Sequence, residues 1–109
     1  MSNIRLPEFR YNRRRKHYSY IFKQSKGVYY NILLSSKANE IKKREGRIVT
    51  YNNVPLYKHP NPNKPNESQW VINRVYKDSD FNKTFDKKLN WRFHLFDKRK
   101  IKKIKKKKY

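Results

Sequence analysis

The sequence predicts a β-rich α+β domain: a small, partly open barrel of the SH3-like kind or a twisted antiparallel sheet, with one or two short helices and basic tails. Three observations predict it. Short runs rich in Tyr, Ile, Val and Phe recur along the chain, separated by turn-forming residues such as Ser25-Lys26-Gly27 and Asn52-Asn53. The length, 109 residues, supports one domain with a small core. Aromatic residues make up 16% of the chain, and each ring buries more area than an aliphatic group, which offsets a hydrophobic share of only 35%. The division that follows is a basic N-terminal arm over 1–16, a β-rich domain over 17–97 and a basic C-terminal helix or tail over 98–109.

Residues 1–16 read as an irregular arm. Pro7 interrupts it, and Arg10, Arg13, Arg14, Arg15 and Lys16 gather toward its end with Phe9 and Tyr11 between them. Residues 17–24 predict a strand, Ser25-Lys26-Gly27 a turn in which Gly27 takes positive φ, and residues 28–34 a second strand. Ile32-Leu33-Leu34 is apolar at consecutive positions, so this strand is expected at the centre of the sheet, buried on both faces. Residues 35–47 are polar and predict a short helix around 38–44, ended by Gly46. Residues 48–51 read as a strand, Asn52-Asn53 as a turn and 54–57 as an extended piece. The run HPNPNKPN over 59–66 is a loop, because its prolines lack the N–H that a helix or ladder requires.

Residues 70–76 return to a strand pattern through Val71, Ile72, Val75 and Tyr76, and 77–88 read as a mobile polar connection holding Phe81 and Phe85. Leu89, Trp91, Phe93 and Leu95 alternate with Asn90, Arg92 and His94, the period of a half-buried strand. Asp97 is placed to cap a final helix with Ile101 and Ile104 on one side. Residues 105–108 are a charge run under no structural demand.

Charge narrows the functional classes. Thirty Lys and Arg against eight Asp and Glu give a formal net charge of +22. Compaction brings like charges together, and a polyanion relieves that repulsion while releasing counterions. An AT-rich genome favours Lys and Asn codons, but gives no comparable handicap to Asp and Glu, so the shortage of acids still needs a reason. The chain has no cysteine, which excludes disulfides and thiolate metal sites. No apolar run reaches the roughly 18–20 residues needed to span a bilayer, and 1–16 lacks the apolar stretch of a signal peptide; the cytoplasm is the expected location.

The main expectation is therefore a small basic RNA-binding protein. Phosphates would be met by Arg10, Arg13, Arg14, Arg15 and Lys16, by Lys42, Lys43, Arg44 and Arg47, and by Lys98, Arg99, Lys100, Lys102 and Lys103. Unpaired bases would stack on exposed rings, which favours irregular or single-stranded RNA over a duplex read in its groove. A ribosome-associated or mobile-element accessory protein is one form of this. A basic protein resting on an anionic membrane is a weaker reading, since the last helix has only Ile101 and Ile104 to bury in an interface.

A second signal is Leu34-Ser35-Ser36-Lys37 at the end of the most apolar strand. Hydroxyls and a lysine there can hold a phosphate, with Lys37 stabilising charge on its oxygens; the alternative is an ordinary turn in which serines bond the backbone. His59, in the proline loop, and His94, on the polar side of 89–95, are candidates for general acid or base. His17, His59 and His94 show no ligand-type spacing, and Asp78, Asp80 and Asp86 lie among lysines, so neither a metal site nor a cofactor is expected.

Residues 18–37, two strands running into Ser-Ser-Lys, resemble the early strands of ToxN/AbiQ-type endoribonucleases, the toxins of type III toxin–antitoxin systems. Aligned so, Ser35 falls on that family's serine and Lys37 on its lysine, while Leu34 stands where the family has threonine. The resemblance covers about a fifth of the chain. It implies an SH3-like barrel core, metal-independent RNA cleavage and neutralisation by an antitoxin RNA.

Overall fold

The computed structural model describes residues 6–106; for 39–44 and 49–51 it describes the backbone alone. The elements run β1 (Glu8–Asn12), β2 (His17–Ser25), β3 (Val28–Ser35), β4 (Asn39–Arg44), β5 (Arg47–Asn52), β6 (Val54–Pro55), β7 (Trp70–Val71), β8 (Tyr76–Asp78), α1 (Phe81–Thr84) and α2 (Leu95–Lys105). Six of the strands form one antiparallel sheet that does not close, and β4 and β5 form a separate hairpin. The fold is α+β and β-rich, in its open-sheet form.

β3 is central because its sequence is apolar on both sides. Asn31 to Ser35 are all buried. One edge of β3 pairs with β2, which pairs with β1. The other edge is shared: β8 pairs with Tyr29 to Asn31, and β7 with Leu34 and Ser35. The β2–β3 turn puts Lys26 at φ 51 and Gly27 at φ 74, a two-residue turn whose twist matches that of the strands. A register shift between Ile21 and Lys23 leaves Phe22 as an extra residue in β2.

Alternation along β1, β2 and β3 gives the sheet two unlike faces. One carries Phe9, Tyr20, Ile32 and Leu34 and is covered by Ile101 and Ile104 of α2, with Val71, Val75 and Phe93 completing the core. On the other, a smaller group of Leu33, Ile72 and Tyr76 lies near a buried polar network built on Asn12, Asn31 and Asp78.

Several sequence expectations are corrected. Residues 8–12 are not an irregular arm but β1, held by facing pairs of rings, Phe9 opposite Tyr20 and Tyr11 opposite Tyr18. The helix expected around 38–44 is the strand β4, because Glu45 (φ 52) and Gly46 (φ 75) close a tight hairpin with β5 instead of ending a helix. The single strand over 70–76 is split by a bend, with Arg74 N–H bonded to the Ile72 carbonyl at 2.7 Å, so the two halves reach different stretches of β3. The connection over 77–88 is built, not loose: it holds β8 and α1, and its last part lies along the free edge of β1, with Asp86 N–H on Tyr11 and Leu89 N–H on Phe9.

The alternating run 89–95 is not a strand. It makes one bridge, Phe9 to Leu89, and then leaves the sheet edge, with Arg92 N–H on the Pro60 carbonyl. Its periodicity survives only in part, since Phe93 is buried while Leu95, already in α2, is 70% exposed. The cap of α2 is His94, whose Nδ1 accepts the Phe96 N–H. Asp97 instead lies fully buried in the first turn, accepting the N–H groups of Tyr57 (2.7 Å) and Lys58 (3.2 Å).

Candidate nucleic-acid interface

The arginine cluster at the β1–β2 turn is engaged within the fold. Arg10 donates to Glu8 (2.6 Å) and to the Asp86 carbonyl (2.7 Å), with its guanidinium over the Phe81 ring. Arg13 pairs with Asp86 at 2.7 Å and also donates to the carbonyls of Asn82 and Lys83. Arg14 and Arg15 both reach Asp78, and Arg15 covers the Tyr76 ring. Asp78 accepts from Asn12 and Asn31 as well. Burial alone would push its carboxyl up, but bonds from Arg15, Asn31 and Asn12, with the charge of Arg15, hold it below the usual carboxylate range.

α2 is different. Ile101 and Ile104 face the core, and Asp97 fixes the first turn to residues 57 and 58, so the opposite face is left to solvent. Lys98, Arg99, Lys102 and Lys103 stand exposed on it. Lys100 is partly used, donating to the Pro55 carbonyl (2.8 Å) and lying 3.4 Å from Asp97. Arg47 is exposed at the start of β5. The side chains of Lys42, Lys43 and Arg44 lie outside the described residues.

Two clefts open on the aromatic face. The larger, of about 640 Å³, lies between α2 and residues 88–93; Phe9, Tyr20, Trp91 and Phe93 form its apolar wall, and Lys88, Arg92, Lys98, Lys102 and Lys105 its cationic rim. The smaller, about 310 Å³, lies where the β1–β2 turn, the end of β3 and the proline loop meet. Tyr11, Tyr18, Trp91 and His59 are its rings, and Lys16, His17, Ser36, Lys64, Glu67 and Gln69 are among its polar groups. Trp91 belongs to both clefts: its ring centroid is 4.7 Å from Tyr18, 5.8 Å from His59 and 5.9 Å from Phe9.

The chain matches no protein-family model, no curated protein and no solved structure. Its function is therefore read from these residues alone.

The four candidate catalytic residues are not gathered together. Ser35 is buried, and its hydroxyl accepts the Lys37 N–H at 3.1 Å, an ordinary serine turn. Lys37 is exposed and lines neither cleft. His94 caps α2, its ring tilted against Tyr57 and edge-on to Phe96. His94 and His59 both line a further cleft of about 550 Å³ with Arg92 and Lys98, away from Ser35 and Lys37, and His59 Nδ1 accepts the Asn61 N–H at 3.0 Å. That bond assigns the proton of the neutral ring to Nε2, so the ring is a hydrogen-bond donor rather than a free base. Burial is the main cause that lowers its pKa and keeps it neutral. Among the described residues no group of His, Asp and Glu that could hold a metal is gathered.

Trp91, Lys64, His17, Lys88, Arg92 and Lys105 are cleft residues that sequence reasoning did not select, whereas Ser36 belongs to the Ser35-Ser36-Lys37 run that it did. Lys16-His17-Tyr18 was visible as a basic–aromatic triplet. Nothing in the sequence brings Lys64 or Trp91 beside it, because those contacts are made by loops.

Proposed function

We propose that this protein binds RNA through the exposed basic face of α2 and the ring-walled clefts beside it. The observation that carries the reading is how the charges are sorted. Glu8, Asp78 and Asp97 are buried, while Lys98, Arg99, Lys102 and Lys103 face solvent on one helix. The one carboxylate of α2, Asp97, is thus turned inward, and phosphate oxygens are the natural partner for the cations on the helix's outer face. Glu67, Asp80 and Asp86 stay at the surface, where they pair with Lys64, Lys83 and Arg13. Lysines act on phosphates as point charges with little reading of base edges, and α2 offers no Asn or Gln for such reading.

Binding is favoured over cleavage because Ser35 is buried with its hydroxyl accepting the Lys37 N–H, and Lys37 lines neither cleft beside the two histidines. The test is fluorescence anisotropy with a labelled single-stranded RNA across a salt series. If about six phosphates are neutralised, log K falls with log salt at a slope of about −4 to −5; a slope near zero would refute the reading. Incubating the same RNA with the protein in EDTA leaves it intact, and discrete cuts would restore the nuclease expectation.

A further inference from the structure

We infer that the aromatic face is a single-strand track, in which two consecutive unpaired nucleotides lodge on either side of Trp91. This rests on the RNA-binding reading and adds where, and in what form, the RNA is held. The two clefts are backed by facing ring pairs of the same two strands, Phe9–Tyr20 and Tyr11–Tyr18, with centroids 5.0 Å apart in each. Those pairs are two residues apart along β1 and β2, about 7 Å, a spacing comparable with one nucleotide step of an extended strand. Trp91 stands between them as a shared wall.

Each cleft has its own cations. Lys98 and Lys102 are one helical turn apart, about 5–6 Å, along the rim of the larger cleft, and Lys16 and Lys64 flank the smaller. His59 borders the smaller cleft as a ring held in place, its Nδ1 accepting the Asn61 N–H and its side chain hydrogen-bonded to Gln69. A paired duplex hides the faces of its bases from these walls, whereas unpaired bases can pack on them.

The experiment compares a single-stranded 10-nucleotide RNA with the duplex of the same sequence, at near-physiological salt. The proteins are the wild type, Trp91→Ala, Tyr18→Ala and Lys98→Ala/Lys102→Ala. Tyr18 is 44% exposed, so its variant tests the track even if Trp91→Ala weakens the fold. The expected result is that Tyr18→Ala and Trp91→Ala each lose about tenfold or more on the single strand, with the salt slope and duplex binding unchanged. The double lysine variant loses affinity for both and flattens the slope by between about one and two. Equal affinity of the wild type for both RNAs, unmoved by Tyr18→Ala, would overturn the track and leave RNA binding intact. No binding by the wild type would overturn both.

Discussion

Asp78 shows how one side chain sets the character of a region. It is buried, bonded by two asparagines and two arginines that come from β1, the β1–β2 turn and β3. Removing it strands several donors at once, so Asp78→Ala is expected to cost about 3–5 kcal/mol, read as a fall in denaturant midpoint. Its carboxyl titrates below the usual range in the fold. The stabilisation is therefore complete above the ordinary carboxyl value near pH 4 and is lost as pH falls through the lowered native value. His59 has the same sign in a different window. Its native pKa is lowered, so between that value and about 6.5 the unfolded chain takes up the proton more readily. Thermal melts between pH 7 and pH 5 should fall more steeply for the wild type than for His59→Gln. Both residues were visible in the sequence, yet their roles were not: an Arg-rich run reads the same whether its partners are phosphates or distant carboxylates.

At the scale of elements, the β2–β3 hairpin was legible, because Gly27 and two runs of alternating or apolar residues point the same way. Gly27 sits at φ 74 with open space where a Cβ would go, so Gly27→Ala meets strain without crowding. A loss of about 1–2 kcal/mol in chemical denaturation is expected. The segment over 89–95 misled for a physical reason. Alternation reports which side chains turn inward, and Phe93 does, but a strand also needs a neighbour to pair with, and beyond Leu89 the backbone turns to the proline loop instead. α2 was legible in its buried pair and illegible in its anchor. Asp97 looks like a cap and acts as a tie to residues 57 and 58. Because Ile104 is 2% exposed, deleting residues 102–109 removes part of the core, and a truncated chain should lose cooperative thermal unfolding. Point substitutions on the outer face of α2 are the cleaner way to subtract charge.

The whole molecule pairs a well-satisfied interior with an unsatisfied exterior. Composition alone announced the charge of +22; which cations are answered inside the fold required the structure. The open sheet was legible as a class, while the clefts were not, since each is assembled from loops and edges far apart in sequence. No described helix is long and apolar enough to cross a membrane. Crowding so many like charges opposes folding, and a bound polyanion offsets that repulsion in the native state. The melting temperature should rise with added salt, and rise further with single-stranded RNA at equal ionic strength. A melting temperature indifferent to both would mean the exposed charges are too far apart to matter.

The inward placement of Glu8, Asp78 and Asp97 has one more effect, on the protein as a colloid. Thirty Lys and Arg against eight Asp and Glu leave a formal net charge of +22, and three of the eight carboxylates are buried. No ordinary buffer brings the surface near neutrality, so copies of the chain repel one another and resist clumping, while every anionic contaminant is drawn in. Freshly isolated protein should carry absorbance at 260 nm until high salt strips it.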